Sequence, residues 1–387
     1  MPNPLARHYT RFRVADRLLL TGHSHQAWPD VAEQGQLEAF ADAAEAVDAK
    51  WARAFAKADA VRDGFRLLLD EPGADLALDT NTHALVTRFL SALDLRRRPR
   101  LVTTDGEFHT VRRQLARLAE AGIEVERVPA EPVGTLAERL AAAIDVRTSA
   151  VLVSAVLFET SRIVPGLGGL AAECAQAEVE LLVDAYHALG VVPFSVPGQG
   201  LAGAWVTGGG YKYLQLGEGN CFLRLPGHAA ALRPVLTGWF AEFEDLSGES
   251  TPDRIGYAPG GDRFAGATYD PTSHYRAARV FRFFTEQGLS AAALRELSQR
   301  QTTLLANEFD ALGAPDEVVT RDRDTPRSEF GGFLALRSSR AAALCAALAQ
   351  RGVSTDSRGD FLRFGPAPYL ADEQLAAAIG ALGAVLS

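Results

Sequence analysis

The chain has 387 residues, 47% of them hydrophobic and 22% charged, which is ordinary for a globular protein and long enough for two or three packed lobes. A formal net charge of −9 argues against nucleic acid as a partner, because an acidic surface repels a polyphosphate backbone. The sequence shows no membrane-length apolar stretch, no export signal and only three widely spaced cysteines, so we expect a cytoplasmic protein that does not enter membranes.

Helix and strand patterns alternate through the first two thirds of the chain. An Ala-rich amphipathic pattern predicts a helical region over 34–70, and helical signals recur near 83–95, 110–121, 135–145 and 167–179. Apolar runs of strand length lie at 101–104, 124–128, 150–158, 180–185 and 204–209. Several of these runs are apolar on both faces, as in parallel strands covered by helices. The alternation predicts a doubly wound α/β fold with a mainly parallel sheet.

The pattern changes after about residue 275. Helices are predicted at 275–287, 290–312, 339–351 and 371–386, with extended segments at 330–336 and 360–364. We therefore expect three parts: an N-terminal segment over 1–50, a large domain over 51–274 and a small α+β domain over 275–387, with the N-terminal segment packed on the small domain. One continuous large domain is the alternative.

One lysine stands out from its surroundings. Lys212 follows the apolar run AWVTGGG (204–210), in a chain with three lysines and 36 arginines. Glycines allow the backbone to approach a ligand closely, and a desolvated lysine is an effective nucleophile because its neutral form becomes accessible. The alternative is an ordinary surface lysine in a turn.

Polar and aromatic residues also come after the other predicted strands. Asp184 ends the run LLVD, where a carboxylate needs a cationic partner, and His187 lies three residues further on. Asn81 and Thr82 open a helix whose first turn can hold a phosphate, and Phe108 comes after the run LVTT. Read singly, Asp184 and His187 are equally well explained as a helix cap with a bystander histidine. Asn81 and Thr82 alone are simply a good helix cap, and a phenylalanine after a strand is more often a core residue.

Their order along the chain is more specific than any one of them. A phosphate-binding helix, an aromatic residue, an Asp and a Lys come after successive strands, as in fold-type I enzymes that use pyridoxal 5'-phosphate (PLP). Over most of its length the chain resembles kynureninase, within the class V aminotransferase group. The segments that carry the resemblance are LLLTGHSHQAWPDV (18–31), Asn81-Thr82, Phe108, the Asp184-x-x-His187 motif, Tyr211-Lys212, Gly238-Trp239, RFAGAT (263–268) and DFLRFGPAP (360–368).

The resemblance implies a role for each matched residue. Lys212 would hold PLP as a Schiff base, and the catalytic set would be Lys212, Asp184, His187 and Tyr211. The cofactor would be bound by these four residues together with Asn81, Thr82, Phe108, Thr110, Trp239 and Thr268. The substrate would be bound by Ser24, Trp239, Thr268 and Arg363. The planar fork of Arg363 suits an α-carboxylate, and no metal is implied.

The sequence also departs from the family pattern. His23 and His25 flank Ser24 where the family has Asn and Leu, Val111 replaces a carboxylate, and Tyr269-Asp270-Pro271 (269–271) is an unusual continuation. The alternatives that stay open are therefore a different PLP reaction, such as transamination or β-elimination, on a modified amino acid. Desulfuration fits less well, because it needs an exposed nucleophilic cysteine, whereas Cys174 and Cys345 fall in predicted helices and Cys221 in a predicted strand. A non-enzymatic relative and a nicotinamide-dependent dehydrogenase fit less well, because the Lys, Asp and Arg are all present and the glycines cluster late in the sheet.

The resemblance implies an activity and an assembly. We expect hydrolytic cleavage of the Cβ–Cγ bond of kynurenine, or of a related small amino acid. We also expect a homodimer with shared active sites, because the family segment that matches RFAGAT (263–268) places Thr268 at a neighbour's cofactor.

Overall fold

The computed structural model describes residues 3–245 and 254–386. Parts of the three predicted regions, at 1–2, 246–253 and 387, lie outside the described residues. The helices are α1 (Val31–Ala46), α2 (Trp51–Leu68), α3 (Thr82–Ala92), α4 (His109–Glu120), α5 (Leu136–Ala142), α6 (Leu167–Gln176), α7 (Thr272–Glu286), α8 (Ala291–Ala311), α9 (Ala341–Gln350) and α10 (Asp372–Leu386). The strands are β1 (Leu18–Leu19), β2 (Asp75–Asp79), β3 (Arg100–Thr104), β4 (Glu124–Val128), β5 (Thr148–Ser154), β6 (Glu180–Asp184), β7 (Trp205–Gly209), β8 (Cys221–Leu225), β9 (Leu334–Arg337), β10 (Val353–Ser354), β11 (Asp356–Arg358) and β12 (Phe361–Phe364).

The large sheet has seven strands in the order β2-β8-β7-β6-β5-β3-β4. The pairs from β7 to β4 are parallel, and β8 runs antiparallel to both of its neighbours. The carboxyl ends of β2, β3, β5, β6 and β7 therefore open at one edge of the sheet. Ligands of doubly wound proteins bind at this edge, so the residues just beyond these strands are the candidates for a binding site.

Helices cover both faces of this sheet. Side chains alternate along a strand, and Leu152 and Leu182 pack on one face with α3 and α4. Val153 and Val183, the next residues along, pack on the other face with α2, α5 and α6. Strands buried on both sides must be apolar throughout, which is why β3, β5 and β7 were recognisable in the sequence.

The C-terminal part forms a separate antiparallel sheet in the order β11-β12-β9. Helix α10 contacts both α8 and α9, α8 contacts β9, and α9 contacts β11 and β12. The N-terminal strand β1 pairs in parallel with β10, and the Gly365 N–H donates to the carbonyl of Leu20 at 2.7 Å. These contacts hold the N-terminal segment against the C-terminal part of the chain.

Three details differ from the predicted elements. The single helical region over 34–70 is two helices, because α1 ends at Ala46 and the next residue, Val47, has a positive φ of 45°. The strand expected over 150–158 ends at Ser154. The edge strand β2, with the sequence DLALD, was not predicted. Among the described helices, none combines the length and the apolar character that crossing a bilayer demands.

Candidate active site

Lys212 lies just beyond β7, where the chain turns back towards β8. Its side chain is buried, with 4% exposed, and its Nζ lies 2.8 Å from Nε2 of His187. Burial lowers the pKa of Lys212 to about 7, although the nearby Asp184 carboxylate opposes the change and Arg363 adds to it. A large fraction of this amine is therefore neutral near neutral pH, as a nucleophile requires.

Aromatic rings enclose the amine. The Lys212 Nζ is 5.0 Å from the ring centre of Phe108, 4.6 Å from that of Tyr186 and 5.7 Å from that of Tyr211. Phe108 is the N-cap residue of α4 and lies four residues after the end of β3, so these two elements fix the position of its ring. The outer face of Tyr211 stacks on His25, with ring centres 4.8 Å apart and an angle of 25°. The sequence prediction did not include Tyr186 or His25.

Two carboxyl groups, those of Asp184 and Glu107, belong to the same site as Lys212. Asp184 ends β6, and its Oδ1 accepts a hydrogen bond from the Tyr186 N–H at 2.8 Å. Loss of hydration raises the pKa of Asp184, against the opposing charge of Lys212. Glu107 is buried, with 1% exposed, and accepts hydrogen bonds from the N–H (3.0 Å) and the hydroxyl (2.6 Å) of Ser154, the residue opposite Asp184 in the sheet. Burial, with a smaller contribution from Asp184, raises the pKa of Glu107 to about 8.

Glu107 is a site residue that sequence reasoning missed. It directly precedes Phe108 and lies just beyond a fully buried strand, which is the same signal that singled out Asp184. The ring of His187, which the resemblance assigned to the cofactor, lies with its Nε2 2.8 Å from the Lys212 Nζ. Burial lowers the pKa of His187, and the charge of Lys212 acts in the same direction, so the imidazole is neutral.

The beginning of α3 forms a further side of the site. Asn81 caps this helix by accepting a hydrogen bond from the Ala84 N–H at 2.9 Å. The Thr82 N–H bonds to the thiol of Cys221, and that sulfur lies 3.8 Å from the hydroxyl of Tyr186. Helix N-termini attract anions, and Cys221 links this one to the ring of Tyr186, so the beginning of α3 is a candidate place for a phosphate.

Arg363 approaches from the small sheet. It lies on the central strand β12 with 3% exposed, and its charge contributes to the lowered pKa of Lys212. Its Nε and Nη2 donate to the two carboxylate oxygens of Asp356 at 2.8 and 2.5 Å, and its Nη1 donates to the carbonyl of Phe158. Sequence reasoning did not predict Asp356, because nothing in the segment DSRGD distinguishes it from a turn residue.

The remaining predicted residues make no hydrogen bond to the Lys212 side chain among the described residues. Ser24 hydrogen-bonds to the neighbouring His25, at 3.2 Å, and Thr110 is half-buried in the first turn of α4. The Trp239 Nε1 donates to the hydroxyl of Thr268 at 3.2 Å on an exposed surface. Thr268 borders a cavity of about 860 Å³ that extends to Thr80 beside the beginning of α3, and Lys212 does not line this cavity.

Comparisons with known proteins give a partial sequence match. The model of the kynureninase C-terminal domain family matches residues 294–382, which include Arg363 and Asp356. No curated protein sequence gives a significant match. The match supports the resemblance for the small domain only, because it covers under a quarter of the chain.

Solved structures match over the whole chain. A lysine-to-alanine variant of C-DES, with glycine covalently linked to its PLP cofactor, is 18% identical over 98% of this chain and 99% of that one, with a TM-score of 0.86. The complex of the cystine C–S lyase C-DES with cysteine persulfide is 18% identical over 96% and 98%, with a TM-score of 0.83. The apo cysteine desulfurase of Thermococcus onnurineus NA1 is 14% identical over 100% and 98%, with a TM-score of 0.82.

These similarities decide the architecture. The chain has the fold of the class V PLP-dependent enzymes. The predicted fold class is confirmed: a large domain with a mainly parallel sheet is followed by a smaller α+β part. At this level of identity the likeness carries the fold alone, so the chemistry of the site must come from its own residues.

The residues around Lys212 fit PLP. The site offers a buried amine for an aldehyde, an aromatic face at Phe108 for a flat ring and a carboxyl at Asp184 for a ring nitrogen. Among the described residues, Lys212 is the one cation that acts on Asp184, so a protonated pyridine would supply the partner that a half-buried carboxylate needs. The beginning of α3 turns the positive end of a helix dipole towards a phosphate, with the N–H groups of Thr82 and Ala84 already bonded to Cys221 and Asn81.

Proposed function

We propose that the protein is a PLP-dependent enzyme that acts on an amino acid, with Lys212 as the residue that binds the cofactor. The observation that carries the proposal is the burial of Lys212 against His187 and Phe108, with its pKa lowered to about 7. A neutral lysine amine next to an aromatic ring and a carboxyl group is suited to bind a cofactor that carries an aldehyde. PLP, when bound, supplies an electron sink for charge that develops at the substrate Cα.

Each residue of the site then has a task. Asp184 keeps the ring nitrogen of the cofactor protonated, and Phe108 lies against its ring. Asn81, Thr82 and Tyr211 bind the phosphate, as the resemblance implies. With cofactor and substrate bound, Lys212 would be placed to remove the α-proton, and His187, 2.8 Å away, would be placed to receive or return a proton.

The substrate reaction is proposed to be hydrolytic cleavage of a Cβ–Cγ bond, as in kynureninase. Support comes from the match of residues 294–382 to the kynureninase C-terminal domain, which contains Arg363. Arg363 would hold the α-carboxylate and so orient the Cα–H bond towards Lys212. Kynurenine, or an amino acid with a carbonyl at the same position, is the first substrate to test.

A C–S lyase reaction is the second candidate, because the cystine C–S lyase C-DES shares the fold over nearly the whole chain. Such an elimination needs the same lysine and no cysteine. A desulfurase needs a reactive thiolate, and none of the three cysteines of the chain offers one. Burial raises the pKa of Cys174 and of Cys221 to about 12. The half-buried Cys345 donates its hydrogen to the carbonyl of Thr355, on the small domain.

Spectroscopy of the purified protein tests the proposal. We expect a visible band after PLP is supplied, a shift of the band on addition of kynurenine, and fluorescence from anthranilate. A band with pyruvate formed from cystine, and no anthranilate, would select the C–S lyase reaction instead. Transamination would instead convert the substrate to its own oxo acid, with neither anthranilate nor pyruvate formed. A protein without a visible band in the presence of PLP would contradict the proposal.

A homodimer is part of the same proposal. Trp239 and Thr268 lie on an exposed surface next to a cavity that extends to Thr80, so a second copy could bring its Thr268 to the phosphate end of the site. The exposed apolar side chains of Val235, Leu236 and Trp239 on this surface favour burial against a partner. Light scattering of the PLP-loaded protein measures the oligomeric state directly, and a monomer would contradict this part.

A further inference from the structure

The guanidinium of Arg363 is only partly occupied by the residues around it. An arginine side chain has five N–H bonds, one on Nε and two on each terminal nitrogen. Asp356 accepts one from Nε and one from Nη2, and the carbonyl of Phe158 accepts one from Nη1. Within the described residues, one N–H on each terminal nitrogen is left for a ligand. A carboxylate that accepts two parallel hydrogen bonds from an arginine needs two such N–H groups.

The pair is built into the small sheet. Asp356 and Arg363 face each other directly across the antiparallel strands β11 and β12. Opposite residues of such a pair lie side by side, so the strand register fixes which edge of the guanidinium Asp356 occupies. Phe333 supports the flat face of the guanidinium, with 5.4 Å from its ring centre to the central carbon of Arg363.

His23 holds the other side of the carboxylate. Its Nε2 lies 2.8 Å from Oδ1 of Asp356, and its ring packs on Phe333 with 4.6 Å between centres. Because a carboxylate only accepts, the proton of the neutral imidazole lies on Nε2. Burial lowers the pKa of His23 to about 4, so the ring is neutral at physiological pH. Gly365 makes room for it, since a Cβ there would lie 2.2 Å from Nδ1 of His23.

We propose that Asp356 is a positioning residue that presents the two terminal nitrogens of Arg363 to the α-carboxylate of the substrate, and that His23 in turn positions Asp356. The inference rests on the proposed function, since it concerns the same arginine. It assigns a task to a histidine at a point where the family has an asparagine, and to an aspartate that has no sequence signal.

Charge supports the arrangement. A buried guanidinium without a partner is costly, and Asp356 neutralises it. Burial alone would raise the pKa of Asp356, but the hydrogen bonds from His23 and Arg363 outweigh it and hold that pKa well below its usual range. Arg358 adds a further positive charge 3.8 Å from Asp356. The carboxylate is therefore ionised at any pH at which the enzyme would work, and Arg363 acts as a directed hydrogen-bond donor.

Paired ligands test the inference. L-alanine and L-alaninamide both carry an α-amine, but only L-alanine carries a carboxylate. Their dissociation constants for the PLP-loaded protein are measured from the shift of the visible band. In Asp356→Asn, binding of L-alanine is expected to weaken by about ten- to a hundredfold, as when charge-assisted hydrogen bonds are misaligned, and binding of L-alaninamide by under about threefold. The difference in amine basicity between the two probes cancels when variant and wild type are compared.

Two controls make the result decisive. Asp360→Asn removes an exposed carboxylate from the same hairpin and is expected to leave both constants unchanged. His23→Gln keeps an N–H donor for Asp356 and is expected to retain most of the L-alanine affinity, whereas His23→Leu loses it. This pair decides the question if Asp356→Asn does not fold.

The outcomes separate the two proposals. A wild-type protein without a visible band would overturn the proposed function and this inference together. A normal band with the same fold-loss of affinity for L-alanine and for L-alaninamide in Asp356→Asn would overturn the inference alone. So would an L-alanine constant that stays unchanged in Asp356→Asn and in His23→Leu.

Discussion

Replacement of Glu107 by glutamine is predicted to stabilise the protein increasingly as the pH rises. Glu107 is buried beside Asp184 and bonded to Ser154, and burial raises its pKa to about 8 from an ordinary 4.5. For an acid with a raised pKa in the folded state, unfolding releases a proton. The carboxyl therefore costs no stability below pH 4.5, and its cost grows until the pH reaches about 8.

The magnitude depends on these two pKa values. Each pH unit between them is worth about 1.4 kcal/mol. Between about pH 5.5 and about pH 8.5 the free energy of unfolding should fall by about 3 kcal/mol through this one group. Glutamine has nearly the same shape and does not ionise, and it retains an oxygen that can accept from the Ser154 N–H. The advantage of Glu107→Gln over the wild type should thus grow by about 3 kcal/mol across this range.

Urea denaturation at the two pH values measures the effect. The matched control is Glu138→Gln, which alters an exposed carboxyl on α5 and should give a difference from wild type that is independent of pH. A Glu107→Gln protein that keeps a constant difference from wild type at both pH values would show that Glu107 is ionised in the folded state. In that case the raised pKa of Glu107 is wrong.

Four further results are expected. Lys212→Ala should abolish both the visible band and trapping of PLP by borohydride, whereas Lys57→Ala should leave both intact; a trapped adduct in Lys212→Ala would refute the assignment. Because the pKa of Lys212 is lowered to about 7, the rate at which the apoprotein captures PLP, measured by stopped-flow absorbance, should rise through about pH 7 and then level off; a rise continuing to about pH 10 would contradict the lowered value. Asp184→Asn should keep the visible band but lower turnover of the accepted substrate by roughly a hundredfold, and near-normal turnover would remove Asp184 from its proposed role. Mixing Lys212→Ala with Thr268→Val chains should restore about a quarter of the wild-type activity through dimers with one intact site, and no recovery after subunit exchange would contradict a shared site.

The fold and part of the site were predictable because of burial and periodicity. Strands β3 to β7 read clearly, since most of them are apolar on both faces. Lys212, Asp184 and Phe108 were recognisable because each lies at or just beyond the carboxyl end of such a strand. The edge strand β2 was missed, because a short strand with an Asp at each end resembles a loop. It could be recognised only through its partner β8.

The missed residues depend on contacts between distant parts of the chain. The contact of Asp356 with Arg363 can be recognised only once the β11–β12 register is known, because that register places the two residues opposite each other. His23 reaches the same carboxylate from 333 positions away, so no local pattern could connect the two. Trp239 and Thr268 were placed by resemblance alone, and a single chain holds them together but away from Lys212. Their proposed contact with the cofactor depends on a second copy.

The pairing of β1 with β10 has a consequence for synthesis on the ribosome. The strands around Lys212 all lie within residues 75–225, so the proposed cofactor-binding groups other than Trp239 and Thr268 can come together while later residues are still being made. His23 must wait, because its carboxylate partner is residue 356 and the strand before it has no place to dock until residue 353 has emerged. A nascent chain is therefore expected to capture the cofactor at Lys212 before it can bind the substrate carboxylate at Arg363.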